Sequence, residues 1–420
     1  MRLIERWRDV QWLGEVYARV PSRVMSTADG AARYGEALAR RHVAITRVTG
    51  TAGDCPACVY VADHAPSVAP LLGPLFDRSP EGERVDDVAP RRLPALLDEL
   101  AARAELVVAR CHSAVGQRRL SGSYLRVPEA VECCAELSED DALPARARRG
   151  QAGNLRALRR AKLRWEVSHD RSHFAEFYEQ MYVPFAHHRF GELAYVRGAG
   201  RLRSHFLRGG LIRVMDGQRW VGGCVYSVVD GALRVWVVGV ADGDTTLIER
   251  GVMTANWAFA MERAHELGLT RCHMGLSRPS LADGVLVYKK RWGASLRCGQ
   301  PTHCDLFMRW ERFNPAVARL LKASPLIFHD GVRLSGLAVI DRDATAEAIE
   351  RLAVEYAMPH LHRLLIVSPG LEQPRRMTLE AERVRGLEVR LLPAVSSARL
   401  VELIEAQGVD QELEPVAARP

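Results

Sequence analysis

The chain has 420 residues, 48% of them hydrophobic and 26% charged, the composition of a globular protein too long for one ordinary domain. Its longest apolar runs fall far short of the roughly 20 residues that a membrane-spanning helix needs. Charged residues also interrupt the first ten positions, from Arg2 to Asp9. We therefore expect a cytoplasmic protein with no signal peptide and no membrane span.

The formal net charge is +7, the sequence pI is near 9.0, and arginine supplies nearly all the basic excess. This excess fits either a coding bias toward arginine or an anionic partner, such as a CoA pyrophosphate, an acidic glycan or lipid precursor, or tRNA. A local cluster between Arg146 and Arg164 contains no acidic residue and only one aromatic residue, Trp165, beside it. The cluster favours phosphate contact over base stacking, with a solvated helix face as the alternative.

The nine cysteines predict free thiols in a cytoplasmic chain. Cys55 and Cys58 have zinc-ligand spacing, but no second pair follows at a suitable distance, and Cys133 and Cys134 are adjacent. We expect no metal site.

The pattern of apolar residues in the first third of the chain predicts an α/β unit without a phosphate-binding loop. Helices are predicted over the first 40 residues, before this unit. Its elements are strands at Val43–Val48, Ala57–Val61, Glu105–Arg110 and Tyr124–Val127, a helix at Leu93–Ala104, a loop or weak helix at 66–90, and a turn at Gly116.

The middle of the chain predicts a helix over Asn154–Lys162, a strand at Trp165–Ser168 and a long amphipathic helix over Arg171–His187. From residue 205 the pattern changes to strands joined by Asp-Gly turns, which are strong hairpin signals. The predicted strands are Leu211–Met215, Trp220–Val229, Leu233–Val240, Arg271–Met274, Ser295–Cys298 and Asp305–Trp310, with helices at Leu247–Leu267 and Gly284–Trp292. We expect residues 205–310 to form one mixed sheet.

Beyond Pro325 the pattern alternates between strands and helices. Strands at Leu337–Ile340, Leu364–Ser368 and Leu387–Leu392 alternate with helices at Thr345–Tyr356, Leu379–Val384 and Ser397–Gln407. This β-α-β-α-β-α series predicts a small parallel appendage. No glycine-rich fingerprint follows its strands, so nothing indicates a cofactor site there.

Three segments carry a resemblance to a known family. They are Gly217–Gly223 at a turn and its return strand, His273–Arg278 at a strand ending in Gly-x-Ser, and Asp283–Gly293, which contains Tyr-Lys-Lys-Arg-Trp-Gly. Their order resembles the GNAT (Gcn5-related N-acetyltransferase) fold, and in particular its FemAB-like branch of aminoacyltransferases and bacterial N-acyltransferases.

The resemblance implies a GNAT-like mixed sheet flanked by helices, with two GNAT-like halves and a C-terminal β-α-β appendage. The expected domains are residues 1–148, 149–325 and 326–420. The resemblance also implies that the strands Val235–Val240 and Arg271–Met274 part at a bulge, so that exposed backbone holds the acyl donor like an added strand.

On the donor side, the resemblance points to the backbone of Val238 and Val240 and to Arg250 and Gly251 at the start of the next helix. The stretch from Thr245 to Met253 contains a single glycine instead of a glycine-rich pyrophosphate loop. The resemblance implies acyl-CoA or a similar thioester as the donor, or aminoacyl-tRNA. We expect no permanently bound cofactor.

For catalysis, the resemblance points to Lys289 as an electrostatic residue, with a solvated helix lysine as the alternative, and to Asp283 and Tyr288 as further candidates. Arg278 and Trp292 are candidates for acceptor binding, although an ion pair and simple packing are their alternatives. His273 is expected to be a core histidine, and Asp242, Asp244 and Glu249 are unranked candidates for a general base.

Three functions remain open from the sequence. The first is an N-acyltransferase acting on an amine of a cell-envelope, polysaccharide or secondary-metabolite acceptor. The second is a FemAB-type aminoacyltransferase that uses charged tRNA. The third is an inactive GNAT-fold binding or scaffold protein. A serine hydrolase is excluded because no Gly-x-Ser-x-Gly elbow is present.

Overall fold

The computed structural model describes residues 31–63 except 33 and 40, 75–76, 81–191 except 121, 194, 196–297, 303–377, 384 and 386–412. The helices predicted before residue 31 and most of the helix predicted at Leu379–Val384 lie outside these residues. Among the described residues, no helix is long and apolar enough to span a membrane.

The described residues form eighteen strands and thirteen α-helices. In chain order they are β1 (Val43–Ala52), β2 (Cys55–Asp63), β3 (Glu81–Val88), α1 (Leu93–Ala101), β4 (Leu106–His112), α2 (Ser113–Leu120), β5 (Leu125–Pro128), β6 (Val131–Glu136), α3 (Ala145–Gly150), α4 (Ala152–Ala161), β7 (Arg164–Ser168), α5 (Arg171–Glu176), α6 (Val183–Phe190), α7 (Ala199–Leu207), β8 (Gly209–Asp216), β9 (Arg219–Val229), β10 (Ala232–Val240), α8 (Thr245–Glu249), α9 (Val252–Glu266), β11 (Arg271–Ser277), α10 (Gly284–Arg291), β12 (Ser295–Arg297), β13 (Cys304–Arg309), α11 (Pro315–Ala323), β14 (Leu326–Asp330), β15 (Arg333–Val339), α12 (Ala346–Tyr356), β16 (Leu361–Ser368), β17 (Arg375–Met377), β18 (Glu388–Pro393) and α13 (Ser397–Glu412).

The described strands form three mixed sheets flanked by helices, which confirms the predicted fold class. The first sheet has the order β3-β1-β2-β4-β13-β5, the second β12-β6-β11-β10-β9-β8-β7 and the third β14-β15-β16-β18-β17. Within the second sheet, three antiparallel strands, a long helix and a parallel strand follow one another as in the GNAT fold. The first sheet repeats the last part of this arrangement, since β2 and β4 are parallel and α1 lies between them in sequence.

Each of the first two sheets contains a strand from a distant part of the chain. Strand β6 lies between β11 and β12 in the second sheet, whereas β13 lies between β4 and β5 in the first. The expectation that residues 205–310 form a single sheet is therefore wrong for β13. Its apolar residues predict a strand, but they do not determine which sheet edge it joins.

The chain divides into two compact units, and their segments interleave along the sequence. Among the described residues, one unit contains 132–276 and 287–297, and the other contains 31–131, 277–286 and 303–412. The first unit holds the second sheet, and the other unit holds the first and third sheets. The predicted boundaries at 148 and 325 stay predictions.

The hairpins of the second sheet form where the Asp-Gly pairs predict them. Gly217 has a φ of 60°, and Asp230 and Gly231 have φ values of 50° and 70°. Positive φ at these positions matches the twist that two-residue hairpins require. The long amphipathic helix is also confirmed. It continues from α5 through a π-helical stretch (Phe177–Tyr182) into α6 and ends at Gly191.

Three local predictions are wrong. Residues Glu81–Val88 form a strand within the predicted loop, and Ser113–Leu120 form a helix where a turn was expected at Gly116. The helix predicted over Leu247–Leu267 is two helices, α8 and α9. Gly251, with a φ of 98°, separates them because an L-residue rarely adopts that conformation.

A substitution at Gly239 tests the packing behind β10. A Cβ atom there would lie 2.9 Å from the Tyr182 backbone nitrogen and 3.0 Å from the Met181 carbonyl carbon. Because backbone cannot move aside cheaply, we expect Gly239→Ala to lower the free energy of unfolding by about 1–3 kcal/mol in urea titrations. Gly153→Ala is the control, since a Cβ at Gly153 meets nothing within 4 Å. Equal stability of the two variants would contradict this packing.

Candidate active site

Strands β10 and β11 are paired only at their beginning. The parallel ladder joins Leu233 to Cys272 and Arg234 to His273, and no further pair forms between these two fully described strands. On its other edge, β10 remains paired with β9 as far as Val240. The predicted parting of the two strands is thus confirmed, and it leaves an edge of β10 to which an extended ligand can add.

A β-bulge lies where the two strands part. The pairing of β10 with β9 shifts register between Val235 and Val237, so Trp236 is the additional residue. Such a bulge bends its strand and increases the local twist. In the first sheet, the parallel strands β2 and β4 are paired over four positions, Val59–Ala62 with Leu106–Ala109. The parting of β10 and β11 is therefore a feature of the second sheet.

Asn256 brings a polar group beside the open part of β10. Its side chain is fully buried on α9, and its Nδ2 donates to the Gly239 carbonyl at 3.1 Å. Its Oδ1 atom is buried with no hydrogen-bond partner among the described residues. A hydrogen bond from an N–H group would stabilise a buried carbonyl oxygen that lacks a partner.

The predicted donor-binding residues lie in or just after this part of β10. Val238 and Val240 belong to its open edge. Arg250 forms an exposed ion pair with Asp216 at 2.6 Å, and the Gly251 N–H donates to the Ile248 carbonyl at 3.0 Å. Since its N–H is already bonded in the turn, Gly251 provides a break between α8 and α9 and no free donor. The donor-binding role of these residues stays a prediction.

Lys289 is buried on α10, with 3% of its surface exposed. Its Nζ donates to the carbonyl oxygens of Gly275 at 3.0 Å and Leu276 at 2.7 Å. These two residues lie in the part of β11 that has left β10. The ammonium group is therefore fixed at the open end of β11, while Lys290 is only half-buried.

Tyr288 and Trp292 pack against each other, with their ring centroids 6.4 Å apart in an edge-to-face arrangement. Trp292 is fully buried, which supports packing as its role. Burial raises the pKa of Tyr288, and its hydroxyl is buried without a hydrogen-bond partner among the described residues. The proposed catalytic role of Tyr288 and the acceptor-binding role of Trp292 stay predictions.

Asp283 and Arg278 form an ion pair in the other compact unit, at 2.8 Å between Arg278 Nε and Asp283 Oδ2. The second carboxylate oxygen of Asp283 accepts the Leu286 N–H at 2.9 Å, near the start of α10. Both carboxylate oxygens of Asp283 thus have structural partners. This supports the ion pair as the alternative to acceptor binding. The catalytic role of Asp283 and the acceptor-binding role of Arg278 stay predictions.

Three neighbouring strands bring Glu132, Arg234 and His273 together at the last paired position before the strands part. Glu132 Oε1 on β6 lies 2.5 Å from Arg234 Nη1 on β10 and 3.3 Å from His273 Nδ1 on β11. Burial alone would raise the pKa of Glu132, but His273 and Arg234 hold it below its ordinary value. The carboxylate therefore stays charged and faces one ring nitrogen of His273.

This 3.3 Å approach brings His273 Nδ1 to Glu132 Oε1 without the geometry of a hydrogen bond, and the His273 side chain retains 10% exposure. A carboxylate that faces one ring nitrogen of a histidine can stabilise the protonated ring, which makes His273 a candidate general base. The expectation of a core histidine is correct for burial, but it missed the carboxylate. No local signal could have found this pair, because Glu132 and His273 are far apart in sequence.

An aromatic and basic group of side chains lies next to this pair. The rings of His205 and Trp236 stack with centroids 3.4 Å apart, and the guanidinium groups of Arg197 and Arg234 lie over the Trp236 ring. Burial, together with nearby arginine charges, holds the pKa of His205 well below its usual range. His205 is therefore a neutral ring at neutral pH, and the adjoining surface is positively charged.

The candidate bases near the donor loop are less well placed. The Asp244 carboxylate accepts hydrogen bonds from the Thr246 hydroxyl and N–H, at 2.7 and 2.8 Å, at the start of α8. These bonds lower the pKa of Asp244, which makes it a weaker base. Among the described residues, no cluster of side chains is suited to hold a metal ion.

The strand order and the parting of β10 and β11 define a protein with a GNAT-like fold. No family model matches the chain, and no curated protein matches it. Solved structures with some similarity include L-PGS from Bacillus licheniformis, at 11% identity, covering 66% of this chain and 85% of that one, with a TM-score of 0.31. FemX has 11% identity, covering 66% and 90%, with a TM-score of 0.32.

A GCN5-related N-acetyltransferase from Sphaerobacter thermophilus has 13% identity, covering 60% of this chain and 72% of that one, with a TM-score of 0.29. At such low TM-scores these similarities add nothing about residues or substrates. The fold is defined by the sheet itself.

Proposed function

We propose that this protein is a transferase that moves an acyl or aminoacyl group from a donor bound along β10 to an amine. The observation that carries the proposal is the parting of β10 and β11 beyond the Arg234–His273 pair, directly beside a histidine that faces a carboxylate. An extended donor can add to the open edge of β10.

The chemistry follows from the groups at this position. An attacking amine must lose a proton, and His273 Nε2 accepts it while Glu132 stabilises the resulting imidazolium. The amine nitrogen bonds to the carbonyl carbon, and the bond from that carbon to the donor's sulfur or oxygen breaks. The leaving sulfur or oxygen then takes the proton that His273 accepted, and His273 returns to its neutral form. The Lys289 ammonium favours the negative charge that develops on the carbonyl oxygen or the leaving group.

An acyl-CoA or similar thioester is the preferred donor. Its acceptor would be an amine of a cell-envelope, polysaccharide or secondary-metabolite molecule. Aminoacyl-tRNA is the alternative, and one observation favours it. The basic side chains of α3 and α4, including Arg149, Arg156 and Arg160, are exposed and could contact a phosphate backbone.

Donor binding tests the proposal. We expect acetyl-CoA to bind the full-length chain in calorimetry, and native mass spectrometry of the purified protein to show a retained thioester. If the donor is charged tRNA instead, its affinity should fall steeply with salt. If neither donor binds, the chain is an inactive scaffold and the proposal is wrong.

A further inference from the structure

A cavity lies in the compact unit that holds the first and third sheets, beside the third sheet. Its volume is about 650 Å³, which falls within the usual range for small-molecule sites. Val339, Ile340 and Pro369 line it where the parallel strands β15 and β16 end. The carboxyl ends of parallel strands are where open α/β sheets bind ligands.

Two other elements of the same unit complete the cavity. Helix α11 contributes one wall from Asn314 to Lys322, and the turn between β1 and β2 contributes Gly53. Phe313, Pro315 and Ala318 make part of this lining apolar. The cavity therefore offers an apolar surface for the body of a ligand.

The polar residues of the cavity are mainly basic. Arg319, Lys322 and Arg342 line it, with Asp341 as the one acidic residue among its lining side chains. Arg342 forms no ion pair with any described carboxylate. Lys322 pairs with Asp341 at 2.7 Å, but both side chains are more than half exposed. Exposed pairs of this kind contribute little free energy, so Lys322 can exchange its partner for a ligand.

The turn at Gly53 lies close to one of these basic groups. A Cβ atom at Gly53 would lie 1.9 Å from Arg319 Nη1, a contact that the flexible end of the arginine side chain can relieve by moving. Among the described carboxylates, Arg319 pairs with Asp54 at 3.6 Å, and that carboxylate is fully exposed. The charge of Arg319 is thus weakly paired.

We infer that this cavity binds a phosphate-bearing small molecule of about the size of a nucleoside monophosphate. The phosphate lies among Arg319, Lys322 and Arg342, since arginine pairs with phosphate through two parallel hydrogen bonds. The apolar body of the ligand packs on Phe313 and Pro315. No glycine-rich loop is needed, because side chains from α11 and from the segment after β15 supply the contacts. The inference does not depend on acyl transfer.

Calorimetry with AMP as the probe tests this inference, on the full-length chain at low salt. We expect one AMP per chain, with adenosine and inorganic phosphate each binding at least about tenfold more weakly. Arg342→Ala should weaken AMP binding about tenfold. The matched control is Arg399→Ala, which removes an exposed arginine of α13 that pairs with Glu402 outside the cavity.

Several outcomes would overturn the inference. One is that AMP does not bind the wild-type chain. Another is that adenosine or inorganic phosphate binds as tightly as AMP, which would remove the need for either the basic group or the apolar surface. A third is that Arg399→Ala weakens AMP binding as much as Arg342→Ala does.

Discussion

Replacing His273 with glutamine should lower kcat for acyl transfer by about 10²–10⁴-fold, because a positioned general base typically contributes that much. Glutamine is close to histidine in size, so the strand should remain in place. Only the proton acceptor is lost. Steady-state kinetics with the donor identified by binding would measure the effect.

Two further variants separate a chemical role of His273 from a structural one. Imidazole added to His273→Ala should restore part of the activity, since it supplies a proton acceptor to the vacated position. Glu132→Gln should lower kcat with little change in KM, because the carboxylate acts through His273. His265→Gln, on α9 outside the site, is the control and should have normal activity. Full activity of His273→Gln, or no rescue of His273→Ala by imidazole, would rule out this role.

Replacing Lys289 with methionine should lower both stability and turnover. The partly buried carbonyl groups of Gly275 and Leu276 would lose their donor. A fully buried polar group left unsatisfied costs about 1–3 kcal/mol, so for these two we expect the free energy of unfolding to fall by about 1–3 kcal/mol in urea titrations. The missing positive charge should lower turnover by about a hundredfold in the fraction that stays folded.

Lys290→Met is the matched control for Lys289. It removes the same charge from the next position of α10, where the side chain is only half-buried. We expect turnover close to that of the wild type and a much smaller loss of stability. If Lys289→Met loses stability but keeps normal turnover, Lys289 only anchors the end of β11 and has no electrostatic role.

Local features of this protein were predictable from short stretches of sequence. The hairpins at Gly217 and Gly231 form because aspartate and glycine tolerate the positive φ that such turns need. The helix beginning at Arg171 follows from its apolar period. The parting of β10 and β11 was expected only through the family resemblance, since apolar residues indicate a strand without indicating where its pairing stops.

Other features depend on residues that are distant in sequence. The positions of β6 and β13 in their sheets depend on which strand edges are open in the folded chain. The apolar pattern of a strand does not identify the strand with which it pairs. His273 was expected in the core, but only its neighbour across the sheet, Glu132, makes it a candidate base.

For Lys289, the sequence predicted one part of its role and the tertiary structure decided another. The resemblance of its segment to the FemAB-like pattern indicated a role for the lysine, and the sequence alone left a solvated helix lysine equally open. The tertiary structure buries its ammonium, because the parted end of β11 presents two carbonyl groups that need a donor. Residue types and their periods thus determined the elements, whereas contacts across the sheet decided which side chains meet at the site.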